Sequence, residues 1–391
     1  MRSMSDAERR ARLGVRHRLS PAVRTGDVLD AARSVVVLHA TDPATVFLSV
    51  AARTAGVGPA AVERALYDDR TLLRMLAMRR TMFVAPVELV PVLQASTANA
   101  LAAKQRATYG RLIERGSDIA DVPAFFAEAE RAAHETLLAR GEATGAQLSA
   151  DAPILRTRVD PAPGKPYSRP TSVTTWVLVT LGCEGRIVRG RPNGSWASSQ
   201  YRWSPVEAWL PGGVEDVPPA EARAELVRRW LRAFGPAPVA DLKWWTGWNA
   251  GDVKKALALL DVTEVELGGG TGIVLSDDLE PTPPPEPWAA LLPALDPTPM
   301  GWQERGWFLG PHGPRLFDRN GNIGPSVWWD GRIVGGWAQR ADGEVAVRLL
   351  EDVGADAAAA IDAEAARTAD FYGDVRAVPR FRTPLERELT S

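Results

Sequence analysis

His39 is the residue whose surroundings in the sequence best suit chemistry. It sits in VVVLHATDPATVF, where an apolar run ends and Asp42-Pro43 signals the start of a helix. The side chains of His39 and Thr41 then emerge beside a helix N-terminus, with its unpaired N–H groups. In an extended segment the two also share one face, which could hold a water. The alternative is a hydrogen-bonded core histidine beside a turn threonine. His17, His134 and His312 are far from it and from each other in sequence, so no metal site is expected. His134, on a helical segment, His312, in a Gly-Pro-His-Gly-Pro loop, and Asp296, in LLPALDP, are not assigned to catalysis. The chain has no Gly-rich phosphate loop ending in Lys-Ser/Thr, no His-Glu-x-x-His and no Gly-x-Ser-x-Gly, so no cofactor is expected. The glycines of 268–272 read as a hairpin turn.

A second group of residues suits a polyanion. The net charge of -2 is a cancellation: residues 1–203 hold 28 Lys+Arg against 19 Asp+Glu, and residues 204–391 hold 18 against 29. The excess of arginine over lysine, 41 to 5, partly discounts the asymmetry, because a GC-rich genome gives the same ratio. Within the basic half, Arg79 and Arg80 fall at the tip of one expected hairpin. Lys165, Arg169, Arg186, Arg189, Arg191 and Arg202 surround another, where guanidinium pairs can chelate phosphate oxygens. Trp196 lies near that second tip and could stack on a base, or pack.

The elements that must carry these residues recur. Helical spacing near Val28 to Val35, Val46 to Ala51 and Val62 to Leu66 precedes LLRMLAMRRTMFV, which reads as two strands turning near Met78 to Arg80. Three helices and a hairpin make a winged helix. The order returns between Ala124 and Trp203, with Asn193-Gly194 suited to a tight hairpin tip, and again from Pro219 to Leu275. Five prolines in residues 281–287 form an extended linker. Beyond it, Asn320-Gly321, Asp330-Gly331 and Asp342-Gly343 punctuate strand-like runs, so residues 288–350 should be mainly β, followed by a helix from Ala355 to Tyr372 and a loosely ordered tail. The expected class is α+β, divided as an arm (1–23), a winged helix with a following helix (24–118), a second with the basic wing (119–210), a third (211–280), a small antiparallel β-barrel or sheet (281–353), and a C-terminal helix and tail (354–391).

Composition agrees with a globular chain. The 391 residues are 45% hydrophobic and 24% charged, and the lone Cys183 excludes a disulfide framework or a cysteine-bound metal. No stretch nears the roughly 20 apolar residues of a membrane span, and no signal peptide is read, so a cytoplasmic, nucleoid-associated monomer without membrane contact is expected.

The runs LHATDPATVFLSVAART, RRTMFVAP, IVRGRPNGSW, LLPALDPTPMGWQER and VWWDGRIVGGW, in that order, resemble the winged-helix family that includes the AlkZ-type and YcaQ-type DNA glycosylases. The resemblance implies a C-shaped protein of three tandem winged helices and a β-barrel. It would grip damaged double-stranded DNA and, as a monofunctional glycosylase, hydrolyse the glycosidic bond of alkylated purines or interstrand crosslinks in repair or self-resistance. Those glycosylases carry Gln-x-Gln or Gln-x-Asp where this chain has His39-Ala40-Thr41. The departure leaves a second expectation, a relative that binds DNA or senses damage without cutting. If the chain is catalytic, the protonation state of His39 decides whether it helps, because an imidazolium would repel the developing oxocarbenium.

Overall fold

In the computed structural model, which describes residues 1–391, one order of elements occurs three times. Helices Val28–Arg33, Pro43–Arg53 and Pro59–Glu63 lead into a hairpin of strands Leu72–Ala77 and Thr81–Pro86. Helices Val122–Arg140, Gly145–Asp151 and Thr174–Cys183 lead into strands Ile187–Pro192 and Tyr201–Pro205. Helices Pro219–Phe234, Val239–Thr246 and Ala250–Leu257 lead into strands Val262–Leu267 and Gly270–Leu275. A long helix, Asn99–Gly116, runs between the first set and the second.

Local chemistry explains many boundaries. Asp42 caps Pro43–Arg53 by accepting the Ala44 N–H, and Pro43 fills a first-turn position that needs no donor. Thr144 and Gln147 close a reciprocal capping box on Gly145–Asp151, and Asn249 caps Ala250–Leu257. The first hairpin turns on Arg79 and Arg80, both left-handed at φ 54° and 59°. Side chains adopt that conformation at a cost of about 1–2 kcal/mol each.

Several expectations change. Asn193-Gly194 does not form a two-residue tip: the strands Ile187–Pro192 and Tyr201–Pro205 are separated by a longer loop, because Trp196 turns inward and packs. The N-terminal arm, residues 1–23, is docked: Arg2–Ser3 pairs in parallel with Val262–Leu267 and the helix Asp6–Arg16 follows. The C-terminal sheet has the order Ala289–Leu292, Ser326–Trp329, Arg332–Gln339, Val345–Leu349. Its two end strands do not pair with each other, so it is an open sheet and no closed barrel. Between the first two of its strands the chain forms loops and the short helices Gly306–Leu309 and Gly313–Leu316 rather than a further strand of the sheet. The tail is ordered by a helix, Pro384–Thr390, that buries Leu385 and Leu389.

The first set, the third set and the open sheet share one hydrophobic core, while the second set has a core of its own. Inside the shared core is a fully buried ion pair. Arg53 meets Asp296 in a fork, with both N–H···O distances at 2.8 Å, and neither side chain is exposed to solvent. Ser49 Oγ and the Thr298 N–H also donate to that carboxylate, at 2.7 and 2.9 Å. Burial alone would raise the Asp296 carboxyl, but the Arg53 charge and these hydrogen bonds outweigh it and hold it below the ordinary range.

His17 completes the network. The Ala233 carbonyl can only accept, so His17 Nε2 carries the proton toward it, and Nδ1 accepts from the Thr298 hydroxyl at 2.9 Å. Burial, then the nearby Arg53 charge, pulls its pKa down to about 3.

Asp296→Ala strands the Arg53 charge in the core, and urea denaturation should show a loss of about 3–5 kcal/mol, with a lower Tm. For His17 the unfolded chain, with a pKa near 6.5, takes up a proton that the native state refuses down to about pH 3. Stability is therefore fully present above about pH 6.5 and falls on acidification, by about 2 kcal/mol at pH 5 from this residue. His17→Gln, which can reproduce both hydrogen bonds, should make the urea midpoint less sensitive to pH between 8 and 5. A wild-type midpoint that does not drop over that interval counts against a neutral His17.

Candidate functional site

The short strand Leu38–His39 pairs with Thr81–Pro86, setting His39 opposite Phe83, and the Ala40 N–H continues the ladder to the Met82 carbonyl. The imidazole is 7% exposed and lies edge-on to the Phe83 ring, 5.5 Å between centroids. Its Nδ1 is buried and has no hydrogen-bond partner in the protein. Burial first, and then the charge of Arg79, push its pKa down to about 3, against a smaller opposing pull from Asp296. The imidazole is therefore neutral at physiological pH.

Thr41 lies partly buried in the bend between strand and helix, and its hydroxyl is not engaged in a hydrogen bond. Its neighbour Asp42 is 6% exposed. One oxygen of Asp42 accepts the Ala44 N–H at 3.1 Å and the other the Arg380 N–H at 2.9 Å. Burial raises the Asp42 carboxyl, and those two N–H groups oppose the rise. The carboxylate is turned toward its cap and the C-terminal segment.

The arginines separate into free and committed groups. Arg79 and Arg80 are exposed at the tip of the first hairpin. Arg79 lies 4.3 Å from the Trp244 ring centre, against Gly247, where an added Cβ would come within 2.8 Å of its Cγ. The absent side chain is what lets the hairpin tip close on the third set. Arg305 lies 5.0 Å from the same Trp244 ring, and burial together with repulsion from Arg79 pushes its pKa down to about 10.

On the second hairpin, Arg189 stands 5.2 Å from the Trp203 ring and 5.6 Å from the Tyr201 ring and has no carboxylate partner. Arg191 is committed to Asp68 at 2.9 Å and Glu63 at 3.4 Å, and Arg202 to Glu142 and Asn193. Arg186 is partly buried. Lys165 and Arg169 lie on an exposed loop between the short strands Arg158–Val159 and Thr171–Ser172, with Arg169 bonded to the carbonyls of Pro166 and Ser168.

Of the two roles open to Trp196, packing is the one the structure favours over base contact: it is 7% exposed and stacks on Phe47 at 4.9 Å and on Tyr372 at 5.8 Å. Cys183 is fully buried and its thiol is pushed up to about 12 by burial, which makes it inert.

Three residues of this neighbourhood escaped the sequence reading. Asp42 was visible only as a cap, Arg305 was unmarked, and Arg74 sat inside an apolar strand pattern. Arg74 is 3% exposed, packs 4.7 Å from the Tyr201 ring and has no carboxylate partner; burial works against its charge, but the neighbouring Tyr201 and Tyr67 outweigh that and hold its pKa up.

Similarity to known proteins bears on what this arrangement serves. The solved structure of Streptomyces sahachiroi DNA glycosylase AlkZ superposes with a TM-score of 0.73, at 22% identity, over 96% of this chain and 98% of that one, which is a likeness of fold. No curated protein matches the chain. A family model described as DNA glycosylase AlkZ-like matches residues 32–371, and the chain therefore belongs to the AlkZ-like family of DNA glycosylases.

Proposed function

We propose that this glycosylase hydrolyses the N-glycosidic bond of N7-alkylated purines, or of crosslinks joined through that atom, with His39 and Thr41 holding the attacking water. The observation that carries the reading is the neutral His39 imidazole, neither of whose ring nitrogens is bonded within the protein; Nδ1 is sealed from solvent, which leaves Nε2 to meet the water. A neutral imidazole can accept a hydrogen bond from water and adds no positive charge beside the sugar. With a pKa near 3, His39 is too weak a base to take the proton outright, so its part is to orient the water. In the reaction the C1′–N9 bond breaks and its electron pair leaves with the purine, neutralising the N7-alkyl cation. The water oxygen bonds to C1′ and its released proton passes to bulk solvent. The substrate's own charge activates the leaving group, and a site without a free carboxylate fits such a substrate.

Each set of helices followed by a hairpin reads as a winged helix, three in all, arranged as a C-shaped clamp on damaged duplex and acting as a monomer. The unpaired Arg79, Arg80 and Arg189 would meet phosphates. A relative that binds without cutting is the second reading, favoured by one observation: Thr41 stands where the family resemblance implies an amide or a carboxylate.

Incubation with duplex containing N7-methylguanine, followed by alkaline cleavage, tests both. The wild type should leave abasic sites, His39→Ala should lower the single-turnover rate by about 100-fold, and His39→Gln should retain most of it. Binding without cleavage across alkylated and crosslinked duplexes would favour the binding-only relative. Because His39 stays neutral, the single-turnover rate should show no inflection near pH 6.5. For the clamp, Arg80→Ala should reduce the slope of log Kd against log salt by about 1, whereas the already paired Arg191→Ala should change it little.

A further inference from the structure

The C-terminal tail brings an unpaired cation to the edge of the site. After the helix Ala355–Tyr372 the chain turns back as a strap, residues 373–383, which lies beyond the family match. Gln339 on the open sheet pins it with both ends of its amide: Nε2 donates to the Val375 carbonyl and Oε1 accepts the Ala377 N–H, each at 2.9 Å. At its far end Thr383 is buried against Gly324, where an added Cβ would come within 2.5 Å of the threonine hydroxyl. Between these anchors, Arg380 donates its backbone N–H to Asp42 Oδ2 at 2.9 Å. The strap is thus fastened to the residue that directly follows Thr41.

The Arg380 guanidinium is exposed and makes no ion pair and no hydrogen bond. Its surroundings are cationic. Arg189 has no carboxylate partner and Arg74 is buried without one, and burial of Arg189 followed by repulsion from Arg74 and, more weakly, Arg380 lowers its pKa. Asp42, the carboxylate beside them, is already committed to two backbone N–H groups. Elsewhere the chain pairs its arginines freely, as in Arg16–Asp278, Arg24–Glu364 and Arg232–Asp277. Guanidinium groups gathered without acids are costly unless an anion joins them, and a phosphodiester matches the planar fork.

We propose that Arg380, presented by the C-terminal strap at the residue that follows Thr41, binds a backbone phosphate of the DNA and so positions the strand at His39 and Thr41. This rests on the reading of duplex DNA as the substrate. Its ligand is the phosphate rather than the damaged base, so the contact forms on undamaged duplex as well.

The test is fluorescence anisotropy of the full-length protein with undamaged duplex over a salt series, comparing wild type, Arg380→Ala and Arg380→Lys. Arg380→Ala keeps the backbone N–H to Asp42 and removes only the guanidinium. It should weaken binding several-fold at low salt and lower the salt slope by about 1, while Arg380→Lys restores the slope. An Arg380→Ala protein with wild-type affinity and slope overturns the proposal and leaves the glycosylase reading intact, since no excision is measured. A lowered slope in a protein that leaves every lesion uncut keeps the phosphate contact and removes the catalytic reading. Failure of the wild type to bind any duplex overturns both.

Discussion

The fold depends on one buried ion pair, Arg53 with Asp296. Two charges out of water are stabilising only when their hydrogen bonds are nearly all met, and here Ser49, Thr298 and the Ser49 carbonyl complete the fork. The partners come from distant parts of the chain. Arg53 ends the helix that Asp42 begins, Asp296 follows the first strand of the open sheet, and through Thr298 the network reaches His17 and the Ala233 carbonyl. Every residue of that helix is buried. Its C-terminal end is tied through the network to the N-terminal helix, the third set and the sheet at once, while its N-terminal end, next to His39 and Thr41, is held to the sheet by the Thr45 hydroxyl on the Ala294 carbonyl. A sliding of any of these parts would break a charge-assisted bond in a medium that cannot replace it.

The same economy of charge shapes the site. Arg79 lies beside His39, Arg380 beside Asp42, Arg74 one strand further across the sheet and Arg189 over the Tyr201 ring that Arg74 also meets, and the two nearby carboxylates are occupied, Asp296 by Arg53 and Asp42 by backbone N–H groups. Such a field disfavours a positive charge growing on a sugar. On the proposed function, phosphates settling among the arginines would offset it, so that the duplex itself would supply the negative charge that an acidic residue supplies in other hydrolytic sites. On this reading the neutrality of His39 is required, because a fifth cation would have no counter-ion. The imidazole is held neutral by the ring of Phe83, the core beneath it and the Arg79 charge.

What the sequence made legible follows the range of the interactions. Helix caps, hydrophobic period and the Asp330-Gly331 turn are settled within a few residues, and the helix from Ala355 to Tyr372 and the hairpin flanking Gly268 appear where they were expected. The tip of the second hairpin was misjudged because Trp196 draws its loop onto Phe47, a contact far away in sequence that outweighs the local preference of Asn-Gly. The tail was misjudged for the same reason: its order comes from Gln339, Asp42 and Gly324, none of them near it in sequence. His39 was identifiable from its neighbours, but its protonation state was not, since that depends on burial and on Arg79 across a strand pair.

The division of the chain into a basic and an acidic half points to DNA less directly than its size suggests. Much of the N-terminal positive charge is spent inside the protein: Arg12 and Arg16 face Asp278, Arg24 faces Glu364, and Arg53 faces Asp296. These pairs account for part of the opposite charge of the two halves, since here the N-terminal half supplies the cations and the C-terminal half the acids. Arg191 and Arg202, which the basic hairpin made prominent, are likewise neutralised by Glu63, Asp68 and Glu142. The candidates without an acidic partner include Arg79, Arg80, Arg189 and Arg380, besides Arg186 at the base of the second hairpin and Lys165 and Arg169 on the exposed loop. Of the first four, two directly precede the strand opposite His39, one lies on the second hairpin and one arrives from the acidic half. A phosphate backbone selects cations by their freedom and position, so a residue from the negatively charged half can belong to the binding face while several from the positive half do not.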